Sequence, residues 1–376
     1  MKHYIYVAGH DYAYKGVDFS QFAWARMARQ AAKDTSKEDR DFIIFDIRTG
    51  SIDTFQHRFP GGKLRKKQIG QRVFTPLKKS HFHEWTDAGG ETHYSLLNDQ
   101  RGMLGIMEVY AAVRRIGINH PGTLMELSFF SHAWSGGPIL VNSTDDRMVT
   151  RPAVPPRTVQ VPAGPFIPPV PVTIPGVPET VVSLNGIERD PDDFDPREID
   201  FWSPNMSVDG KKDFRAAYHP SGFNWSWGCA FPSNVHYILR QVQRHKRYRE
   251  SGLKDDVVFT FTSLGREHAE HISQILSLTI SNHNNVTLTF GQIRDYIRRQ
   301  TLATWTRALA VASERIAYGG LIGTYSVYDT GKEPLMHVEP SFKAHFTFYK
   351  NYLGIDRDQE GRNYGLYRPE HDWLKP

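Results

Sequence analysis

Apolar positions along the chain fall into two rhythms. Short, nearly unbroken apolar runs stand at residues 3–8, at Asp41–Ile47 and at Leu124–Ser131. Such runs mark strands buried on both faces, as in a parallel sheet. Between them the spacing turns helical. Phe19 to Ala32 places Phe19, Phe22, Ala23 and Met27 on one face, and Met103 to Ile116 does the same with Met103, Ile106, Met107, Tyr110 and Val113. Further on, Trp225–Gly228 reads as a fourth strand, Ser233–Arg249 as its following helix and Val257–Thr262 as a β-rich piece. Gly291–Arg315 reads as one long helix and Arg315–Gly320 as a late strand before a glycine-rich turn. Strands that alternate with helices predict an α/β fold with a mostly parallel sheet flanked by helices.

Some stretches break this rhythm. Residues 55–100 are rich in Gly, His and Lys and read as irregular, and so does the aromatic tail after Pro340. Residues 152–178 are dense in proline, which excludes a helix or a central strand. The expectation there is an extended, polyproline-type insertion, either a semi-rigid spacer or a partner-docking arm. The predicted organisation is one α/β domain over 1–151 and 180–340, the Pro-rich insertion at 152–179, and a tail, 341–376, packed on the domain.

Composition narrows the class. The chain has 376 residues, 39% of them hydrophobic, and a mean hydropathy of −0.50, enough for a sizeable core. No apolar run approaches the ~20 residues of a membrane span. Met1 to His10 reads as a first strand and not as a signal peptide. The net charge is +5. One basic cluster, Lys63 to Lys67 with Arg72, Lys78 and Lys79, is the better candidate for an anionic partner. The other, Arg244 to Arg249, reads as a solvated helix end. Asp190–Asp195 lacks the glycine and terminal glutamate of a calcium loop and reads as a turn. His81/His83 and His268/His271 do not have the spacing of a zinc-protease helix. No metal and no cofactor is expected.

The candidate chemistry centres on the single cysteine. Cys229 follows Trp225-Ser226-Trp227-Gly228, and a helical pattern starts at Ser233, so the thiol is expected at a strand end near a helix N-terminus. That setting favours thiolate over thiol. Upstream, the strand ending in Phe130-Ser131 delivers His132, followed by a tight Gly136-Gly137. Parallel sheets put reactive groups at the carboxyl ends of their strands, so His132 and Cys229 read as base and nucleophile. Asp11 and Asp46, at the ends of the first two strands, are placed to face the same cleft and would suit a basic substrate side chain.

This order resembles the caspase–hemoglobinase fold of clan CD cysteine peptidases. There an apolar strand leads into a Ser-His motif, and the next strand leads into the cysteine. Ser131-His132-Ala133-Trp134-Ser135-Gly136-Gly137 and Trp227-Gly228-Cys229-Ala230 occupy those places. The resemblance implies a cysteine peptidase or related thiol amide hydrolase. It implies oxyanion donors on the backbone of Ala133, Gly136, Gly137 and Gly228. A substrate cleft would be lined by Ser131, Trp134, Trp227, Gly319, Gly320 and Tyr325. Two departures stand out: Ala133 replaces the usual glycine after the histidine, and Cys229 is followed by Ala-Phe-Pro instead of small residues. The chain also looks like uncharacterised bacterial proteins with Ser-His…Gly-Gly-Pro and Trp-Gly-Cys motifs, associated with effector or toxin loci. That implies a protein or peptide substrate, an immunity or secretion-system partner, and a cytoplasmic protein exported, if at all, without a cleaved signal peptide. Two alternatives stand beside it: a non-catalytic interaction module on the same scaffold, and a nucleic-acid-acting toxin drawing on the basic clusters.

Overall fold

The computed structural model describes residues 1–11, 16–59, 64–68, 74–86, 90, 92–96, 104–141, 148–151, 157–161, 170–174, 180–183, 210–230, 233–371 and 373–375. Eight strands form the central sheet: β1 (Lys2–Ala8), β2 (Arg40–Asp46), β3 (Ser51–His57), β4 (Leu64–Gln68), β5 (Leu124–Phe130), β6 (Tyr218–Ser226), β7 (Ala317–Gly319) and β8 (Gly365–Tyr367). Their order across the sheet is β8-β7-β6-β5-β1-β2-β3-β4. The five inner strands β7, β6, β5, β1 and β2 run parallel. β8 joins β7 antiparallel, and β3 and β4 extend the other flank as an antiparallel meander.

The sheet divides two apolar layers. Along β1, Tyr4, Tyr6 and Ala8 enter one core, and Ile5 and Val7 enter the other. This is the period-2 alternation of a strand covered on both faces. The first core receives α1 (Phe19–Lys33) and α4 (Ser233–Val242), with α6 (Phe290–Leu302) beyond them. The second receives α2 (Ile106–Asn119), α3 (Gly210–Ala217) and α7 (Trp305–Ser313). The remaining helix of note, α5 (Arg266–Leu276), packs on α6. The α/β class with a mostly parallel, helix-flanked sheet is therefore present as expected. No helix among the described residues is long and apolar enough to cross a membrane.

Several local expectations need correction. The stretch read as irregular between 55 and 100 contains β3 and β4 and a hairpin, Phe82–Thr86 with Thr92–Leu96. The Pro-rich region is paired as a ribbon where it is described: Met148–Arg151 with Thr180–Ser183, and Arg157–Val161 with Val170–Ile174. Pro171 sits opposite Gln160 in a two-stranded ladder, where one missing donor can face outward. The single long helix from Gly291 is two helices. The Thr304 hydroxyl accepts from the Arg307 amide at 3.3 Å and starts α7 as an N-cap. The tail is ordered into a short helix, Lys343–Phe348, a π-turn, Tyr349–Leu353, and the edge strand β8. Asp190–Asp195 lies outside the described residues.

A buried ion pair crosses the first core. Arg26 of α1 donates to both carboxylate oxygens of Glu126 on β5, at 2.9 and 3.2 Å, and to Glu360 at 2.6 Å. Arg26 and Glu126 are 1% and 0% exposed. Glu126→Ala leaves a guanidinium enclosed with half its partners gone. The expected loss is about 3–5 kcal/mol in a denaturant titration; a loss below about 1 kcal/mol would contradict this reading.

Buried histidines set the acid response. Burial pushes His3 and His10 down to about 4 and His345 to about 3, from 6.5. His345 lies between His236, Nε2 to Nδ1 at 3.1 Å, and Gln243 at 2.8 Å, and the Arg240 charge further disfavours its proton. The unfolded chain takes up these protons near 6.5, the native one only well below it. Their stabilisation is therefore complete above about pH 6.5 and is lost as pH falls toward 4. Urea midpoints should drop over that range, and His345→Gln should flatten the drop. A profile that stays level from pH 7 to 4.5 would rule this out.

Candidate active site

Three strand ends converge at one edge of the sheet. β5 ends at Phe130, and the chain turns at once into a small hairpin, His132–Trp134 paired with Gly137–Ile139. Gly137 has φ +135°, a value that L side chains rarely adopt. The α7 N-terminus fastens this hairpin, because the Trp305 amide donates to the Ser135 carbonyl at 3.0 Å.

β6 runs parallel beside β5, with Ser226 opposite Phe129. Cys229 and His132 each lie three residues beyond that pair, so the register brings them to the same level. Gly228 makes the approach possible. A Cβ there would stand 2.2 Å from the Ala133 Cβ and 2.9 Å from the Ser131 carbonyl oxygen. Gly9 does the same on the other side: its Cβ would stand 2.6 Å from the Ser131 Cβ. Two glycines thus press the ends of β1 and β6 onto Ser131–Ala133. Asp11 comes to lie beside His132, and the residue before Cys229 packs on Ser131 and Ala133.

His132 Nε2 lies 3.1 Å from Asp11 Oδ1, and the other Asp11 oxygen accepts the Val17 amide at 3.0 Å. Burial pushes the Asp11 carboxyl up, but the His132 and Val17 hydrogen bonds outweigh it and hold the pKa below the usual carboxylate value. The Phe19 ring stands edge-on to the His132 ring, with centroids 5.1 Å apart. Asp11 therefore orients the histidine. Asp11 thus faces His132, the residue whose cleft it was expected to share.

Cys229 is half-buried. Its Sγ accepts the Ser326 amide at 3.3 Å. Burial pushes the thiol up from its ordinary value, and the Ser326 amide only partly opposes this. The helix expected to stabilise the thiolate begins at Ser233, four residues further on. The resting thiol is thus held neutral, opposite to the thiolate expected from sequence.

Other expected site residues are placed as follows. Ser131 is buried, and its hydroxyl donates to the His132 carbonyl at 2.7 Å. Trp134 pairs with Gly137 in the hairpin, across the turn containing Gly136. Trp227 is sealed in the core, stacked on Trp225 at 4.0 Å and on Phe130 at 5.4 Å. It is core packing and not a cleft wall. Asp46 ends β2, one strand further from Cys229 than Asp11, and accepts the Thr49 amide at 3.2 Å. It caps a turn there and is not in the cleft. Gly319 packs against Thr306 of α7, and Gly320 lies against the Cys229–Ala230 backbone. Tyr325 is 39% exposed and edge-on to Phe342 at 4.8 Å.

Three residues near the thiol had no sequence signal pointing to them. Ser326 and Tyr328 belong to a hairpin, Ser326–Asp329 with Leu335–Val338. The Tyr328 ring packs on Phe19 and Phe22 at 6.5 and 6.2 Å. Tyr364 comes from the tail. Among the described residues, no three His, Cys, Asp or Glu side chains gather into a metal-holding group.

No protein-family model, curated protein or solved structure matches the chain.

The enclosed thiol has a direct readout. With one cysteine, iodoacetamide reports on Cys229 alone. Labelling of the folded protein should be slow at pH 7, rise only on the alkaline side of a free thiol, and speed up in denaturant. Fast native labelling below pH 7 would show that the thiol is not held neutral.

Proposed function

We propose that the protein is a thiol hydrolase of amide bonds, a cysteine peptidase or close relative, built on the clan CD-like arrangement. The observation that carries this reading is the Asp11–His132 contact at 3.1 Å, with Gly228, the residue before Cys229, packed on Ser131 and Ala133 to either side of His132 in sequence. A carboxylate, an imidazole and a thiol in that sequence are the parts of an acid-oriented base and its nucleophile.

In the proposed reaction His132 takes the Cys229 proton as the sulfur attacks the substrate carbonyl carbon. The tetrahedral oxyanion is met by backbone N–H groups at the Cys229 turn and the Ala133 hairpin; one such donor is worth about 3–4 kcal/mol. As the C–N bond breaks, His132 returns the proton to the leaving amine, which leaves a thioester on Cys229. Water, deprotonated by His132, then cleaves the thioester. Asp11 stays ionised throughout and stabilises the imidazolium. Desolvation disfavours the Cys229 thiolate, so in this proposal the sulfur gives up its proton only when substrate is in place. The substrate class proposed is a protein or peptide. A lone cysteine suits the reducing cytoplasm of a producing cell.

The enclosure of the thiol supports the competing reading of a non-catalytic module on the same scaffold. A pool of denatured-protein peptides, read by mass spectrometry, separates the two. The wild type should generate new termini. Cys229→Ala and His132→Ala should each lower the rate at least about 100-fold, and Asp11→Asn about tenfold or more, with unchanged melting profiles. Equal cleavage by Cys229→Ala, or an intact pool with the wild type, sinks the enzyme reading.

A further inference from the structure

The tail and the strand start at Ser326 each hold the thiol turn through a hydroxyl that donates to a backbone carbonyl. Tyr364, fully buried, donates its hydroxyl to the Trp227 carbonyl, two residues before Cys229. The same oxygen lies 3.0 Å from Ser326 Oγ. Ser326 Oγ donates to the Gly228 carbonyl at 2.8 Å. The Ser326 amide donates to Cys229 Sγ at 3.3 Å. Consecutive backbone groups before the thiol are therefore gripped from one side, by a strand end and a tail that come from elsewhere in the chain.

The brace is itself well anchored. The Tyr364 ring stands edge-on to Trp225 and Trp227 at 5.8 and 5.4 Å. Its amide donates to Asp358 at 2.8 Å, and the Asp358 amide returns to the Tyr364 carbonyl at 2.8 Å. One residue beyond Cys229, Ala230 and Thr324 form an isolated bridge, with Ala230 donating at 3.1 Å. The Gly323 amide donates to the Ala230 carbonyl at 2.7 Å. Ser326 thus approaches the thiol on a backbone fixed at both sides.

We infer that Tyr364 and Ser326 are positioning residues for Cys229, holding the Ser326 amide on the sulfur so that this one donor supports the thiolate when it forms. The inference deepens the thiol-hydrolase reading by making the C-terminal segment part of the site. The amide aimed at sulfur favours the charged form, against the longer contact in which the thiol donates to the Ser326 carbonyl at 3.9 Å. Each hydroxyl carries one hydrogen and spends it on one backbone carbonyl: Tyr364 on that of Trp227, and Ser326 on that of Gly228.

The test needs no substrate, so it stands apart from the question of peptidase activity. Iodoacetamide labelling rates are measured from pH 6 to 10 in the folded full chain. Tyr364→Phe and Ser326→Ala should slow labelling at pH 7.5 by about fivefold to tenfold, because one pK unit is a tenfold change in thiolate. The pH profile should move to the alkaline side. Ser326→Thr, which keeps the hydroxyl, should stay close to wild type. A purely structural role would lower the melting temperature and leave the pH midpoint in place. That outcome, or faster labelling at every pH, overturns the inference. If Tyr364→Phe does not fold, the contrast between Ser326→Ala and Ser326→Thr decides it. Loss of cleavage without an alkaline shift would leave the hydrolase reading standing and remove this one.

Discussion

The Arg26–Glu126 ion pair is the constraint on which the rest of the structure depends. Taking both charges out of water costs several kcal/mol per ion. The structure offsets that cost by saturating both groups. Glu126 accepts from Arg26 twice, from Gln30 at 3.1 Å and from Ser128 at 2.6 Å. The guanidinium also lies over the Trp225 and Trp227 rings, at 5.2 and 5.3 Å. Burial works against the Arg26 charge, and its carboxylate partners outweigh that. Few alternative packings would satisfy so many groups, so the pair fixes the seat of α1 on the sheet. The same helix presents Phe19 to His132. Glu126 lies on the strand that delivers His132, and Glu360 belongs to the tail that delivers Tyr364. One buried charge therefore ties together the three segments that surround the site.

Close backbone approach does the rest. Gly9 and Gly228 have no room for a side chain, and each faces Ser131–Ala133. Any larger residue would push β1 or β6 away and open the space between Asp11, His132 and Cys229. A glycine at Ala133 is not required by packing, since the Ala133 Cβ fills the space left by Gly228. The Ala133 side chain is thus matched by a glycine just beyond the neighbouring strand. The two positions exchange bulk, and the strand spacing is preserved.

Much of this was legible in the sequence. Apolar runs located β1, β2 and β5, because strands covered on both faces leave little polar signal to confuse the pattern; the run at Trp225–Gly228 caught only the end of β6. The helical period located α1 and α2 for the same reason. Other elements were hidden by physical causes that can be named. β3 and β4 carry Asp53, Gln56, Arg65 and Lys67, polar residues suited to a half-solvated edge. The break between α6 and α7 contains neither Gly nor Pro; Thr304 makes it by capping. The edge strand β8 spans only three residues, too few to set a period. Strand-end logic placed His132 and Cys229 just beyond two neighbouring parallel strands, as they are. It could not supply the pairing of Asp11 with His132, which depends on how far β1 runs past β5. Tyr364 and Ser326 reach the thiol over sequence separations that no local pattern encodes.

The charge state of the thiol shows why a strand-to-helix reading misleads here. A helix N-terminus helps an anion only within its first turn, and the contact given to the Cys229 sulfur comes from the Ser326 amide instead. What remains is a competition between desolvation and one amide from Ser326, and desolvation prevails. Asp11 stands in the opposite position: it is buried as well, yet His132 and Val17 tip it toward the charged form. The site therefore rests with its negative charge on the carboxylate and its proton on the sulfur. The Asp11 carboxylate lies against the His132 ring, and a Cys229 thiolate would have the Ser326 amide to stabilise it. Access of water or substrate to this end of the sheet then decides how easily the second charge can form.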